Sequence, residues 1–411
     1  MRQTMGRRSA ASSGSYTSPP PRRPQRSGAG PMLLVLAAAV LLAVLAGGQG
    51  VLAALRGGAG AGVFPGGGAA SSAVQPGAAS SPAASVAASA APTAAPPPDP
   101  KEEEMYRTMY KAAAAGKATV TVHGTEAQYL AAFDRLYQHA ELFWLSGASY
   151  TSYSNSDKIE VTFKSRYPDP AARMAELEQT ANAILQGVPA WATQYEKALY
   201  VHDWLVQNVD YVKREDKMDQ GAYAALVDRR CVCNGYARGF QYLMQKLGIT
   251  TGVISGVADT GERHAWNYAI LDGVTTYFDV SWDEPVNNPH PEVTRREWFG
   301  LTLAEMQPTH IADAGEYVPS AASDRCNFYL RSGWQLQRYD SAAVRAIFAD
   351  QLARGTGCFT LRCADDATYR KMVQALVDES GIYTVLEEIG CVVDSCSISR
   401  DERLRVIYFF V

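Results

Sequence analysis

Midway along the chain, two thiols lie in the stretch Arg230-Cys231-Val232-Cys233-Asn234-Gly235-Tyr236-Ala237-Arg238. A polar loop ends here, and apolar residues then recur at helical spacing as far as Leu247, with Gly248 following as a stop signal. The second thiol, Cys233, falls at the predicted helix start, where unpaired backbone N–H groups favour the thiolate form of a cysteine. Cys231 lies on the loop side, two residues too early for those amides, and is the competing nucleophile.

Two further polar residues follow in an order that suits nucleophilic catalysis. His264 stands in His264-Ala265-Trp266-Asn267, and Asp279 stands in Tyr277-Phe278-Asp279-Val280-Ser281-Trp282. A nucleophilic thiol needs a base within reach, and that base needs a third group to orient it. The order predicts Cys233 as nucleophile, His264 as base and Asp279 as the orienting carboxylate.

The segment that carries His264 and Asp279 is predicted to be a β-hairpin. Alternating strands at 264–271 and 275–283 flank Asp272-Gly273, a strong signal for a tight turn. A turn of two or four residues places His264 and Asp279 on one face of the sheet, as neighbours about 7–8 Å apart at Cα. A three-residue turn would place them on opposite faces. The aromatic residues expected to exclude water from this site are Trp266, Tyr268, Tyr277 and Trp282.

A structural interpretation of the same residues must be weighed: a buried cysteine, a hydrogen-bonded histidine and a solvent-facing aspartate. It would suffice for any one of them alone, but three residues in catalytic order argue against it. His202 is different, since it lies beside core positions on a helix that opens with the capping box Thr193-Gln194-Tyr195-Glu196. We interpret His202 as a structural residue.

Charge is distributed unevenly along the chain. Residues 1–98 contain seven Arg and no Lys, His, Asp or Glu, whereas the whole chain has 38 basic and 42 acidic residues. The remainder is therefore acidic and has no Lys/Arg-rich patch, which argues against a nucleic-acid partner.

The first hundred residues predict three segments. Residues 1–30 form a disordered cytoplasmic segment, because Ser, Pro, Gly and Arg dominate them. Residues 31–55 carry no charge and are long enough for a transmembrane anchor, or alternatively an uncleaved signal; a cleavable signal-peptide core is the other possibility. Arg residues ahead of this segment predict a cytoplasmic N-terminus and an extracytoplasmic catalytic part on a single-pass membrane protein. Residues 56–100 are an Ala/Gly/Ser/Pro linker.

From residue 101 onward the sequence predicts three folded regions. They are an N-terminal α/β region at 101–175, a core at 176–322 and a small C-terminal α/β unit at 323–411. Within them the capping box Thr125-Glu126-Ala127-Gln128 predicts a helix that runs to about Ala140. We also expect a helix at 295–306, a helix at 364–377, and strands at 391–398 and 404–411. The seven cysteines leave at least one thiol free, and neither a zinc cluster nor a calcium loop is evident. We predict no cofactor and no metal.

Several blocks together resemble the transglutaminase-like superfamily, in its bacterial, extracytoplasmic, membrane-anchored branch. The blocks are Gly221 to Val227, Cys231 to Ala237, Gly256, His264-Ala265-Trp266-Asn267 and Tyr277 to Asp283. The resemblance covers about residues 190–285. It implies an α+β, papain-like core in which the helix bearing Cys233 packs on an antiparallel sheet bearing His264 and Asp279.

The implied reaction is acyl transfer or hydrolysis at an amide bond through a thioester on Cys233. An amine acceptor means crosslinking and water means hydrolysis. The implied partner is a protein or peptide substrate, including cell-wall-associated ones. The alternatives are a cysteine peptidase or amidase of the cell envelope, and a non-catalytic surface binding module.

Overall fold

The structure, a computed structural model, describes residues 99–153, 155–216, 218–284 and 289–411. The predicted segments 1–30 and 31–55 lie outside those residues, as does all but the end of the predicted linker. At that end, the Asp99 carboxylate accepts hydrogen bonds from the first-turn amides of helix α1 (Pro100–Ala114). Within the described residues, no helix combines the length and the apolar character needed to cross a membrane.

The N-terminal region pairs helices with a three-stranded antiparallel sheet of order β1-β3-β2. Its further elements are β1 (Thr119–His123), α2 (Glu126–Asp134), β2 (Leu145–Ser152) and β3 (Lys158–Ser165), with 3₁₀ turns at Arg135–Gln138 and Ala140–Leu142. The capping box of Thr125 and Gln128 opens α2 as its sequence predicts. The α-helix stops at Asp134 rather than near Ala140, because the chain tightens into a 3₁₀ turn and His139 adopts an extended backbone.

Helices and a short parallel ladder lead from this region into the core. They are α3 (Pro170–Leu185), α4 (Gln194–Asn208), β4 (Asp210–Tyr211), a π-helical turn (Ala224–Asp228), β5 (Arg230–Cys231) and α5 (Cys233–Lys246). The predicted capping box of Thr193 and Glu196 opens α4. Helix α3 runs across the predicted 175/176 boundary, so no loop separates the two regions there. The boundaries of the predicted regions otherwise remain predictions.

The core sheet has five antiparallel strands in the order β10-β6-β7-β8-β9. They are β6 (Thr251–Ala258), β7 (Arg263–Leu271), β8 (Val274–Phe278), β9 (Phe299–Leu301) and β10 (His310–Ala312). Helix α5 packs against β6 and β7, with Ala237 beside Val253 and Ala265. This is the α+β arrangement that the sequence predicts.

The β7–β8 hairpin has the two-residue turn on which the predicted site depends. Leu271 pairs with Val274, leaving Asp272 and Gly273 as the turn. Their φ angles are 50° and 77°, the left-handed values of a type I′ turn. The register therefore places His264 and Asp279 on the same face of the sheet.

The predicted helix at 295–306 is wrong. Phe299–Leu301 instead forms edge strand β9 beside β8, and only Leu303–Met306 is helical, as α6. The reason is a tertiary contact: the Trp298 carbonyl accepts a hydrogen bond from the Asp279 N–H at 3.1 Å. In a helix through this segment, the same carbonyl would accept from a backbone N–H of the helix instead.

The C-terminal region adds a four-stranded sheet of order β11-β12-β14-β13. Its elements are α7 (Phe328–Ser332), β11 (Gln335–Leu336), α8 (Ser341–Arg354), β12 (Phe359–Cys363), α9 (Asp366–Val373), a π-helical turn (Gln374–Asp378), α10 (Gly381–Glu388), β13 (Ser397–Asp401) and β14 (Val406–Phe410). Sequence reasoning missed α10 and began the strand at 391–398 six residues too early. The predicted helix at 364–377 is confirmed for its first two turns and then widens into the π-helical turn.

Buried residues of all three regions form one continuous hydrophobic core. Polar contacts also join the C-terminal region to the core: Arg362 pairs with Glu305, Arg403 pairs with Asp259, and the His290 ring stacks on Phe410 at 3.8 Å. The core region is therefore backed by the C-terminal sheet.

Candidate active site

Cys233 is the first residue of α5, as predicted. The preceding residue, Val232, has an extended backbone, and its carbonyl accepts the N–H groups of Gly235 and Tyr236 at 2.8 and 3.2 Å. The thiol therefore stands at the positive end of the helix. The Cys233 sulfur lies 4.0 Å from the carbonyl oxygen of Arg263, at the start of β7, and the residue is 9% exposed. The thiol thus faces the strand that carries His264 while remaining reachable from solvent.

His264 and Asp279 form a direct, buried hydrogen bond. His264 Nε2 lies 2.6 Å from Asp279 Oδ2, so Nδ1 is the ring nitrogen left for the thiol. Burial acts to lower the pKa of His264, but the charge of Asp279, its hydrogen bond and the Cys233 side chain raise that pKa to about 10. At neutral pH the ring is an imidazolium beside the thiol, an arrangement that stabilises a thiolate.

The Asp279 carboxylate is saturated with hydrogen bonds. Its Oδ1 accepts from the Ser281 N–H (3.0 Å), the Ser281 hydroxyl (2.7 Å) and the Trp282 N–H (3.2 Å). Burial opposes ionisation, yet the charge and hydrogen bond of His264, followed by those of His310, hold the pKa of Asp279 well below its usual range. Asp279 is therefore ionised and fixed in orientation.

His310 is a site neighbour that sequence reasoning missed. It begins β10, is fully buried, and places Nε2 2.9 Å from the same Asp279 oxygen that His264 contacts. Its Nδ1 lies 2.8 Å from the Thr309 hydroxyl. No spacing signal links His310 to the motif blocks, because strand order and not sequence order brings β10 beside β6.

Three tryptophans surround the two histidines. Trp266 and Trp282 contact His264, as expected, with ring centroids 6.2 and 5.3 Å from it. Trp298 completes the group 5.2 Å from His310 and was not predicted. Tyr268 and Tyr277 lie farther along the sheet, where Tyr268 contacts Tyr317 and Tyr277 donates to the Pro319 carbonyl. Their part in excluding water from the site stays a prediction.

Cys231 is unsuited to the chemistry. It lies in β5 with no exposed surface, and burial raises its pKa well above that of an ordinary thiol. A Cβ on Gly235 would come within 2.7 Å of its sulfur, so glycine is needed for this packing. All seven cysteines are unpaired. The geometry therefore favours Cys233, as the placement in the sequence predicts.

Tyr211 is a second neighbour that sequence reasoning missed. It lies in β4, paired with Cys231 in the parallel ladder. Burial raises the pKa of the Tyr211 phenol. The Cys233 thiol raises this pKa further, whereas a hydrogen bond from the Cys233 backbone N–H lowers it. The phenol thus stands where an oxyanion bound by the Cys233 amide would form.

His202 is structural, in line with its interpretation from the sequence. It is fully buried, with Nε2 3.0 Å from Asp283 and Nδ1 3.3 Å from Asp203. Asp203 is in turn held by both nitrogens of the Arg296 fork at 2.8 Å. Asp283 also accepts from the Trp298 N–H. This network holds Asp283 in place at the end of the turn that begins with Asp279.

Potential metal ligands also meet at the site. His264, Asp279 and His310 offer ligand atoms that all lie within 4.8 Å of one another, and no other such group occurs among the residues that the structure describes. The Asp279 oxygen lies 2.6 and 2.9 Å from the two imidazole nitrogens. Ligands of a tetrahedral zinc lie about 3.3 Å apart, given metal–nitrogen bonds near 2.0 Å. The observed spacing is that of direct hydrogen bonds.

One segment of the chain matches a known protein family. Residues 179–281 match the sequence model described as the transglutaminase-like superfamily. No curated protein matches the chain. Similar solved structures include a proposed cysteine protease from Cytophaga hutchinsonii, with 14% identity over 33% of this chain and 61% of that one, at a TM-score of 0.23.

Two further similar structures are a TGase and a proposed protease from Parabacteroides distasonis ATCC 8503. The TGase shows 11% identity over 35% of this chain and 46% of its own, at a TM-score of 0.25. The proposed protease shows 13% identity over 32% of this chain and 35% of its own, at a TM-score of 0.21. The chain spans less than two thirds of each of the three structures. Residues 179–281, which hold Cys233, His264 and Asp279, thus carry the sequence signature of the transglutaminase-like superfamily on a mixed helix-and-sheet fold.

Proposed function

We propose that this protein catalyses acyl transfer or hydrolysis at amide bonds of protein or peptide substrates, through a thioester on Cys233. The observation that carries the proposal is the 2.6 Å contact between His264 Nε2 and Asp279 Oδ2 beside a thiol at a helix start. That contact leaves one ring nitrogen to serve the thiol and holds the ring as a proton donor.

In the first half-reaction, the Cys233 thiolate attacks the amide carbonyl carbon and forms a C–S bond. The carbonyl oxygen becomes an oxyanion, which the first-turn amides of α5 stabilise. His264 then gives its proton to the amide nitrogen, the C–N bond breaks, and an amine leaves a thioester on Cys233. In the second, His264 takes a proton from an incoming amine or water, whose attack releases the acyl group and restores the thiolate.

The test supplies a peptide amide together with an alkylamine and follows both products by mass spectrometry. The wild-type chain is expected to give either the amine-linked peptide or the hydrolysed peptide, and Cys233→Ala to give neither. Cys231→Ala is the matched control and should retain turnover, because its thiol is buried away from the site. Equal turnover by wild type and Cys233→Ala would overturn the proposal.

A non-catalytic binding module is the alternative that alkylation addresses. Iodoacetamide should modify Cys233 faster than Cys391, although Cys391 is the more exposed residue. Cys326, which is buried, serves as the unreactive reference. A Cys233 no more reactive than Cys326 would favour the binding module. Product identity separates the enzymatic alternatives: amine incorporation indicates crosslinking, and cleavage alone indicates a cysteine peptidase or amidase of the envelope.

We further propose that residues 31–55 anchor the protein in a bacterial membrane with the catalytic part outside. The support is the charge-free run of residues 31–55 behind an Arg-bearing segment. In fractionated cells, the full chain should resist alkaline extraction from membranes, and a deletion of residues 31–55 should release it. Extraction of the full chain would count against the anchor.

A further inference from the structure

A small cavity lies next to the nucleophile, between the N-terminal region and the start of α5. Its volume is about 130 Å³, and its lining includes Asn234, the residue that follows Cys233. Asn234 is held in place because its side chain donates to the Gln220 carbonyl at 2.8 Å. A space of this size can accept one side chain.

Two guanidinium groups, Arg238 and Arg166, line this cavity, and neither has a carboxylate partner among the residues that the structure describes. Arg238 donates to the Gln138 carbonyl and to the Gln241 side chain, both neutral acceptors. Arg166 is exposed, and its backbone N–H donates to the Trp144 carbonyl at 2.8 Å. Over the described ranges, neither arginine lies within 4.0 Å of a carboxylate, and the cavity wall includes no Asp or Glu.

Glu316 and Glu141 are the carboxylates whose negative charge acts on Arg238. Glu141 is already engaged, since it accepts from the Tyr110 hydroxyl at 2.7 Å and from His139 Nδ1 at 3.1 Å. Both act on Arg238 only through space, and burial lowers the pKa of Arg238 to about 10, so the group stays cationic at neutral pH. A partly desolvated cation with neutral partners gains from an incoming anion.

The remaining walls suit a short hydrocarbon stem behind such an anion. Tyr137, Phe143 and Tyr167 line the cavity with ring surface. Asn234 directly follows Cys233, and Arg238 lies one turn farther along the same face of α5, about 6 Å away along the helix axis. An extended peptide covers that distance in about two residues.

We propose that this cavity is an anion subsite for the acyl donor, binding a carboxylate one to three residues from the attacked amide. The inference rests on the proposed acyl-transfer function for the identity of the ligand. The carboxylate is an acidic side chain or the free C-terminus of a peptide, since both present the same group.

The test measures binding to Cys233→Ala, so that it does not depend on turnover. Peptides with a central glutamine amide carry Glu or the isosteric Gln at each of the three flanking positions on either side, with both termini blocked. One Glu peptide is expected to bind about tenfold more tightly than its Gln counterpart, the typical value of one charge-assisted hydrogen bond. A second pair, with free or amidated C-terminus, shows which source supplies the carboxylate.

In the same background, Arg166→Gln and Arg238→Gln should each reduce the preference for Glu to about twofold or less. The Arg166 side chain is exposed and forms no ion pair with the described residues, so its substitution should leave the fold intact. Arg338→Gln is the matched control, because Arg338 is exposed and lies in the C-terminal region, away from the cavity. It should leave the preference unchanged.

The outcomes separate the subsite from the proposed function. Equal binding of all Glu and Gln peptides, and of both C-terminal forms, would overturn the subsite even if the wild type turns peptides over. A preference that survives both Arg166→Gln and Arg238→Gln would also overturn it. A preference lost in those variants, in a protein without turnover, would uphold the subsite and overturn the proposed acyl transfer.

Discussion

The two carboxylate oxygens of Asp279 have different hydrogen-bond partners. Oδ1 is held by three donors from its own turn, whereas Oδ2 receives two imidazoles, His264 and His310, from different strands. The turn thus fixes the orientation of the carboxylate, and the carboxylate fixes the orientation of the His264 ring. Because the His264 pKa is raised and the Asp279 pKa is lowered, the pair is ionised across a wide range of pH.

The pH dependence of the thiol follows from this pair. The pKa of His264 in the folded protein is about 10, above the ordinary value near 6.5. The protonated His264 ring therefore contributes its full share of folding stability below pH 6.5. That contribution is lost as pH rises towards 10. We expect the rate of Cys233 alkylation by a neutral reagent, and of turnover, to keep an imidazolium-dependent component up to about pH 10.

Asp279→Asn should move that alkaline limit to lower pH, because it removes the charge that raises the His264 pKa. Turnover at neutral pH should fall by roughly 10²–10⁴-fold. The pH profiles of both proteins, measured with the same peptide, give the comparison. An unchanged alkaline limit in Asp279→Asn would mean that the pair does not control the base.

His310 is expected to act as a positioning residue. His310→Phe keeps a ring among the three tryptophans but removes the donor to Asp279, and we expect kcat to fall about tenfold with KM unchanged. His310→Gln, whose amide can still donate, should recover part of the loss. Full kcat in His310→Phe would show that Asp279 needs no second imidazole.

At the scale of elements, Gly256 allows strand β10 to lie close to β6, which places His310 beside Asp279. Gly256 of β6 pairs with Ala312 of β10 on one side and with His264 of β7 on the other. A Cβ at Gly256 would lie 2.1 Å from the Ile311 carbonyl oxygen and 2.8 Å from Trp266. The close approach of β10 to β6 therefore requires glycine at this position.

Gly256→Ala should push β10 away from β6 and cost about 1–3 kcal/mol of stability, the usual range for overpacking. Turnover should fall further than this loss alone explains, because His310 moves with β10. Thermal unfolding and kcat, measured well below the melting temperature, test both parts.

Gly248→Ala supplies the control for that variant. Gly248 has a φ of +74° after α5, and an added Cβ there meets no atom within 4 Å. It should lose about 1–2 kcal/mol through backbone strain alone and keep its kcat. Equal kcat in both variants would refute the role assigned to strand spacing.

At the scale of the whole molecule, a buried polar seam joins the core to the C-terminal sheet. The Tyr408 hydroxyl donates to Glu297 at 2.8 Å and accepts from the Tyr329 hydroxyl at 2.8 Å and the Arg296 N–H at 3.2 Å. Burial, and then the charge of Asp283, raise the pKa of Glu297 to about 8. The seam thus reaches the turn that carries Asp279 and Asp283.

Tyr408→Phe should therefore lower the free energy of unfolding by about 2–3 kcal/mol, because it leaves several buried polar groups short of a partner. Urea unfolding monitored by tryptophan fluorescence measures the loss. Tyr383→Phe is the control, since Tyr383 is 42% exposed in the same region, and its stability should match the wild type. Equal stability of both variants would show that the seam carries no net stabilisation.

Short-range signals in the sequence predicted much of this molecule. Both predicted capping boxes, the Asp272-Gly273 turn and the helix start at Cys233 are confirmed, because each depends on contacts within a few residues. The turn also determines which face holds His264 and Asp279, so their juxtaposition follows from the sequence.

What only the tertiary structure decided involves residues far apart in the chain. His310 and Trp298 join the site, Tyr211 reaches Cys233, and the segment at 295–306 becomes an edge strand, all through neighbours that no local pattern specifies. Strand order and long-range hydrogen bonds override local propensity at these positions. The sequence alone thus determined the position of Cys233 and the hairpin that faces it, whereas packing decided which other residues surround and stabilise them.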